Sequence, residues 1–211
     1  LGGGLQNTLN LCYNVLQDPN SEFCQAVRRN PTTGEINDPY VAQIRNANTG
    51  QMRTSGLDFT LRYRHDLNFG FPGLARTSSI DFSSSYTWLN DFTLTPVSAF
   101  PNIKNHCAGS FGPTCGQPLP EWRGFSRITW NLDSLSLSLR HRYIGPVTTD
   151  RYLVPLRQGS AATPALDTIV YPRLPSRNYF DLSFEYNLKS GIQIIGGANN
   201  VFNVKPPITT Q

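Results

Sequence analysis

The chain is 211 residues long, 38% hydrophobic and only 15% charged, with 17 Gly, 16 Pro and a net charge of +4. Soluble domains carry roughly 25% charged residues and helical bundles are rich in Ala, Glu, Lys and Leu, so this composition argues against a bundle or coiled coil. The 24 aromatic residues argue against a disordered chain, and no run approaches the roughly 18 consecutive apolar residues of a membrane-spanning helix.

The length allows one domain or two. No secretory signal peptide opens the chain, which starts at Leu1 with Met52 as its one methionine, so it reads as a piece of a longer protein. Fifteen of the 18 cationic residues are Arg. No basic run exceeds Arg28-Arg29, so the charge does not form a nucleic-acid footprint.

The first 40 residues read as a partly helical excursion. Leu9, Cys12, Tyr13 and Leu16 repeat at helical spacing, Asp18 is an expected N-cap with Pro19 in the first helical position, and Phe23 and Val27 resume the period. Cys12 and Cys24 lie equally far from the Asp18-Pro19 break, as two residues facing across a helical hairpin would.

Strict apolar/polar alternation then marks strands. A first strand is expected over Val41–Asp66, its alternation cleanest over 57–67: Leu57, Phe59, Leu61, Tyr63 and Leu67 share one face, and Asp58, Thr60, Arg62, Arg64 and Asp66 the other. After a turn over 68–77 with Gly70, Pro72 and Gly73, Ser79–Leu89 sets Ile80, Phe82, Tyr86 and Trp88 against Asp81, Ser83, Ser85 and Thr87. A long excursion, Thr95–Glu121, precedes Phe125–Leu132, where Ile128, Trp130 and Leu132 oppose Arg127, Thr129 and Asn131. Asp133-Ser134 reads as a two-residue turn into Leu135–Arg142, where Leu135, Leu137 and Leu139 alternate with Ser136, Ser138, Arg140 and Arg142. A second excursion, Thr149–Arg177, leads to Tyr179–Leu188, with Phe180, Leu182, Phe184 and Tyr186 opposite Asp181, Ser183 and Glu185. Lys189-Ser190 is expected as another two-residue turn into the glycine-rich Gly191–Phe202, kept strand-like by Ile192, Ile194 and Ile195.

A soluble sandwich also alternates apolar-in with polar-out, but its strands average roughly 5–6 residues. Membrane-crossing strands need about 9–11. Short connections alternating with long ones are the habit of outer-membrane barrels, and a compact soluble domain rarely needs several long loops. The expected fold is therefore all-β, an antiparallel transmembrane β-barrel segment of about six strands of a larger barrel with long external loops. In such a barrel the apolar rows meet lipid, and Arg62, Arg64, Arg127, Arg140, Arg142 and Glu185 point into the lumen. One Arg at the lipid midplane costs about 2–4 kcal/mol, so the register that hides all of them is strongly favoured. Trp88, Trp122, Tyr143, Tyr171 and Tyr179 lie near expected strand ends, where aromatic girdles form.

Four cysteines allow three disulfide pairings. Pairing Cys12 with Cys24 and Cys107 with Cys115 closes one loop each, for roughly 2–3 kcal/mol per bridge on the chain-entropy model, and implies an oxidising compartment. A zinc site using His106 beside Cys107 is the alternative, but the spacings match no zinc-ligand pattern. No catalytic residues are expected: Gly-x-Ser-x-Gly, His-Glu-x-x-His and phosphate-loop patterns are missing, and Leu1-Gly2-Gly3-Gly4 lacks the Lys that a phosphate loop requires. His65 and His141 fall on apolar faces near strand ends.

Four motifs carry a resemblance: Cys24-Gln25-Ala26-Val27-Arg28-Arg29 followed by Thr33-Gly34-Glu35-Ile36; Asn48 through Ser55-Gly56-Leu57-Asp58; Pro120-Glu121-Trp122-Arg123; and Gly197-Ala198-Asn199-Asn200-Val201-Phe202-Asn203 with Pro206-Pro207. In this order they resemble the C-terminal barrel part of a TonB-dependent outer-membrane receptor, over nearly all of residues 1–211. Asn200-Val201-Phe202-Asn203 departs from the family's Asn-Leu-Phe-Asp, and Gln211 falls before the expected last strand. The resemblance implies a plug domain and a TonB-contacting segment outside this chain, and about 22 strands in the whole barrel. It also implies active import of a scarce nutrient (ferric siderophore, cobalamin or oligosaccharide) across the outer membrane of a Gram-negative bacterium. The implied partners are outer-membrane lipid, the plug, TonB and a small nutrient ligand, with no cofactor, no metal, no nucleic acid and no enzymatic activity. Loops Thr95–Glu121 and Thr149–Arg177 are expected to take part in capture, with Arg140 and Arg142 lining the lumen; the favoured role for those arginines is structural, in lumen ion pairs that hold the plug or each other. A passive porin-like channel is the alternative, and a secreted soluble sandwich a more distant one.

Overall fold

The computed structural model describes residues 8–9, 11–36, 50–71, 76–97 and 101–207. The expected strand start over 41–49, Pro72 and Gly73 of the first turn, and Leu1-Gly2-Gly3-Gly4 lie outside them. The chain divides into two compact units, Leu1–Met52 with Leu94–Lys104, and Arg53–Thr93 with Asn105–Gln211.

In the first unit the expected helical hairpin is replaced by tighter local structure. Leu11–Leu16 forms a π-type turn, ended by Gln17 at φ 50°. Helix α1 is a single turn, Glu22–Gln25, and its N-cap is Ser21, whose Oγ accepts from Cys24 N. Asp18 does not cap it, because its carboxylate accepts from Asn20 N and its carbonyl from Ser21 N, closing a turn before the helix begins. Cys12 and Cys24 are bridged. Arg29 lies over the Tyr13 ring, donates to its hydroxyl and, through Nη1, donates to the Gly34 carbonyl, tying the following turn to the same unit.

The second unit is built on one large sheet. Its long strands are β1 (Gln51–Leu67), β2 (Ser78–Thr95), β5 (Trp122–Asn131), β6 (Leu135–Ile144), β9 (Arg177–Asn187) and β10 (Gln193–Ala198), hydrogen-bonded in the order β1-β2-β5-β6-β9-β10. The short β3 (Asn105–His106) adds to β2. The sheet is open at β1 and β10. β1 and β2 span 17 and 18 residues, about three times the usual globular length. A second small sheet joins β4 (Ser110–Phe111), β7 (Val147–Thr149) and β8 (Arg173–Leu174), with helix α2 (Asp150–Arg157) following β7.

Register puts like with like. One row runs Phe82, Ile128, Leu139, Leu182 and Ala198, and the row one residue away runs Ser83, Arg127, Arg140 and Asp181. The apolar row is not covered: Leu182 is 50% exposed, Ile128 41% and Leu139 37%. A shallow apolar hollow of about 660 Å³ lies on this face, lined by Ile80, Ile128, Trp130, Leu137, Leu182 and Phe184 among others. A buried apolar cluster among the described residues sits elsewhere, in the small sheet, as Phe111, Val147 and Leu174.

Two connections between long strands are tight. Leu132 and Leu135 exchange both backbone hydrogen bonds across Asp133-Ser134, the expected two-residue turn. The other expected turn is three residues, 189–191: Leu188 N donates to Ile192 O, and Gly191 takes φ 85°. The left-handed glycine adds the extra residue, as in a hairpin closed with a G1-type bulge.

Aromatics gather at the long-loop end, where Trp122 stacks on both Trp88 and Phe59 at 6.1 Å. Tyr179 does not join such a girdle. It stands opposite Arg142 on the polar face, where the Arg142 guanidinium lies 5.2 Å from its ring centre. Tyr171 falls inside the second excursion, outside any strand, at φ 51°.

Gly124 is where strands β2 and β5 come closest to needing bare backbone. A Cβ there would collide with the Ser85 carbonyl and lie 2.6 Å from the Tyr86 ring. Gly124→Val is expected to lower the unfolding free energy of the full-length protein by about 1–3 kcal/mol, the usual cost of overpacking, measured as a shifted urea midpoint.

Candidate functional site

Two constellations carry chemistry. The first is the arginine row. Alternation on β5 and β6 brings Arg127 directly opposite Arg140, and Arg140 in turn opposite Asp181 on β9. Asp181 is a hub. Its carboxylate accepts from Arg140 Nε (2.9 Å), Arg142 Nε (2.9 Å) and Nη2 (3.1 Å), and Asn200 N (2.8 Å), with Arg140 Nη2 in ion-pair contact at 2.8 Å. Asn200 also exchanges hydrogen bonds with Val204, so the turn after β10 is pinned to the same carboxylate.

The other expected site residues are apart from this hub. Arg64 lies 3.4 Å from Asp66 and 3.9 Å from Asp81, in exposed pairs of little energetic weight. Glu185 lies four residues along β9 from Asp181, about 13 Å away, and accepts from Gln193 and Asn187. Arg62, Arg123 and Arg127 make no ion pair or hydrogen bond among the described residues. His65 and His141 stack on Tyr63 and Phe180 on the opposite face.

The second constellation joins parts of the two long excursions. Cys107 and Cys115 are bridged. Helix α2 grips the bridged loop from both of its ends. Asp150, 2% exposed, accepts from Thr114 N and Cys115 N at 2.7 Å each, and as the first residue of α2 it also faces the positive end of the helix dipole. Arg157, at the other end, donates to the carbonyls of His106 (2.9 Å) and Ala108 (2.8 Å). Gly112 leaves room for the Asp150 carboxylate, which a Cβ would strike. Thr148 N donates to Gly109 O, completing the contact.

His106 contributes through Nδ1, 2.9 Å from Thr93 Oγ1 and 3.5 Å from Asp91. No group of residues able to hold a metal occurs among the described residues. Asp91 stands three residues past Trp88, beyond the stretch of β2 that pairs with β5. Burial opposes its charge, but hydrogen bonds from Thr93 and His106 and the nearby charges of His106 and Arg53 outweigh it and hold the carboxyl below its ordinary value.

Sequence reasoning placed the arginines on one face and named Asp181 among the polar positions, but not as their shared partner. The missing signal was cross-strand register. Asp150 and Arg157 gave no signal either, since α2 is a short helix that contains Pro155 and lies within what reads as loop.

The family model described as "TonB dependent receptor-like, beta-barrel" matches residues 13–201, and the chain belongs to that family of transporters. Neither a curated protein nor a solved structure matches the chain.

Asp181→Asn leaves two guanidinium groups without their shared charge. The expected cost is about 1–3 kcal/mol, below that of a fully buried pair because both arginines are more than a third exposed. Thermal melting of the full-length receptor in detergent checks this, and adding Arg140→Gln and Arg142→Gln to Asp181→Asn should restore part of the loss.

Proposed function

We propose that residues 1–211 form a C-terminal part of the wall and external loops of a TonB-dependent receptor in the outer membrane of a Gram-negative bacterium. The receptor actively imports a scarce nutrient: a ferric siderophore, cobalamin or an oligosaccharide. One observation carries this reading. Long strands present an uncovered row of Leu, Ile and Phe on one face and a row of Arg on the other. Water would oppose exposing the first row, and hydrocarbon would oppose exposing the second. A barrel in a bilayer accommodates both.

On this reading the apolar rows face lipid, and Arg62, Arg64, Arg127, Arg140, Arg142 and Glu185 face the lumen. The short turns lie on the periplasmic side. The cap built from β4, β7, β8 and α2 stands outside the cell, where an oxidising environment preserves its disulfide. Because α2 grips the Cys107–Cys115 loop at both ends, that loop and α2 meet a ligand as one body rather than as separate flaps. A plug domain elsewhere in the same protein fills the lumen, and TonB supplies the energy by contacting that part.

Uptake in nutrient-starved cells of the source organism tests the reading. Deleting the receptor should abolish high-affinity uptake of one such nutrient, and cells lacking TonB should show the same loss. Uptake that persists without TonB would assign the chain to a passive channel instead.

A further inference from the structure

We propose that the apolar face of β2, β5, β6 and β9 holds a binding site for one uncharged glycolipid of the external leaflet, recognised by Ser126, His141 and Trp122. The inference rests on the reading of that face as the lipid side. Outward from the short turns, the ladder stacks three kinds of row on it. Phe82, Ile128, Leu139 and Leu182 form an apolar row, and the last three line the hollow of about 660 Å³. The next row breaks the pattern with Ser84, Ser126 and His141. Beyond it stand Tyr86, Tyr143 and Asn178, and then Trp88 beside Trp122. Apolar lining, hydrogen-bonding groups and aromatic rings therefore follow in the order of tails, linkage and sugar in an external-leaflet lipid. A lipid of the opposite leaflet would meet them reversed.

The polar row has hydrogen bonds to spare. Ser84 Oγ and Ser126 Oγ share one bond at 3.0 Å, so whichever donates, the other keeps a free hydroxyl proton. His141 Nε2 donates to Asn178 Oδ1 at 2.8 Å, which leaves Nδ1 an acceptor without a partner among the described residues. Hydrocarbon satisfies neither group. An ester carbonyl would accept from the serine, and a sugar or glycerol hydroxyl would donate to Nδ1. Above them Trp122 is 42% exposed, and the C–H side of a sugar ring suits the negative face of an aromatic one. No Lys or Arg stands on these rows to meet a phosphate, so the site favours an uncharged, hydroxyl-rich headgroup.

Depth agrees. His141 lies seven residues from Ser134 of the short turn, about 24 Å along the strand and about 18 Å of height at a tilt near 40°. Phe69, Phe71 and Ile192 are exposed at the short-turn end and carry the apolar band on toward the roughly 25 Å that a barrel presents. The serine–histidine row thus sits at the outer edge of that band. Trp122, four residues further out than Ser126, stands about 10 Å higher, at headgroup level.

The test uses the full-length receptor in phosphatidylcholine nanodiscs doped with monogalactosyl diacylglycerol, with phosphatidylglycerol as the anionic control. Native mass spectrometry counts the lipid that each receptor retains. One galactolipid should survive, in preference to phosphatidylglycerol. Trp122→Ala and His141→Leu should each cut its retention about fivefold, the scale of one aromatic contact or hydrogen bond. His141→Leu puts an apolar side chain on the apolar face, so that variant keeps the fold even where Trp122→Ala does not. No preference for the galactolipid, or equal retention by the parent and both variants, would overturn the inference. Quenching of a bimane label on Leu139→Cys by doxyl-labelled phosphatidylcholine separates the two levels of the argument. Quenching without galactolipid preference removes this inference alone, and no quenching removes the lipid-side reading beneath it.

Discussion

A bilayer interior offers a polypeptide no hydrogen bonds, and that constraint organises this molecule. Backbone donors and acceptors must be satisfied between strands, and side chains on the lipid side must be apolar. Strict alternation meets both demands with one device. β6 and β9 carry Leu or Phe at one parity and Arg, Ser or Asp at the other. β5 follows suit from Arg127 onward while Phe125 and Ser126 stand on the opposite parities, and the ladder keeps the parities aligned across the sheet. On the proposed reading, a slip of one residue would exchange the faces and bring Arg127, Arg140 and Arg142 into hydrocarbon. The arginines thus specify register as effectively as the leucines do.

The same constraint explains where the protein keeps its conventional core. On the proposed reading one side of the sheet meets lipid, so no protein layer packs against its apolar rows. Burial of the soluble kind is left to the loops. Phe111, Val147 and Leu174 supply a small cluster, too little for independent stability. The Cys107–Cys115 bridge and the buried Asp150 carboxylate add the rest by tying α2 to the bridged loop. Electrostatics, a covalent link and a few apolar contacts together order parts of two excursions that would otherwise be long and independent.

How much of this was legible in the residues follows from the range of each interaction. The long strands were, because alternation is a property of neighbours: Leu135, Leu137 and Leu139 against Ser136, Ser138 and Arg140 need no tertiary information. The Asp133-Ser134 turn was legible for the same reason. What failed depended on atoms far apart in sequence or on competing local bonds. Asp18 looked like a cap, but its carboxylate found Asn20 first, and Ser21 took the role. Tyr179 looked like a girdle residue until register set it beside Arg142. The Asp181 hub joins β6, β9 and the turn after β10, and the small sheet pairs Ser110 with Thr148 and Val147 with Leu174, far apart in sequence. Neither leaves a periodic trace.

The central claim is that adjacent residues of β6 meet different solvents. Nitroxide labels placed singly at Leu137, Ser138, Leu139 and Arg140 of the full-length receptor in lipid measure this directly, through relaxation by molecular oxygen and by a water-soluble nickel chelate. The account predicts that labels at 137 and 139 respond to oxygen and those at 138 and 140 to the chelate. Loss of that two-residue period, or leucine positions shielded from both reagents by a packed protein layer, would contradict it.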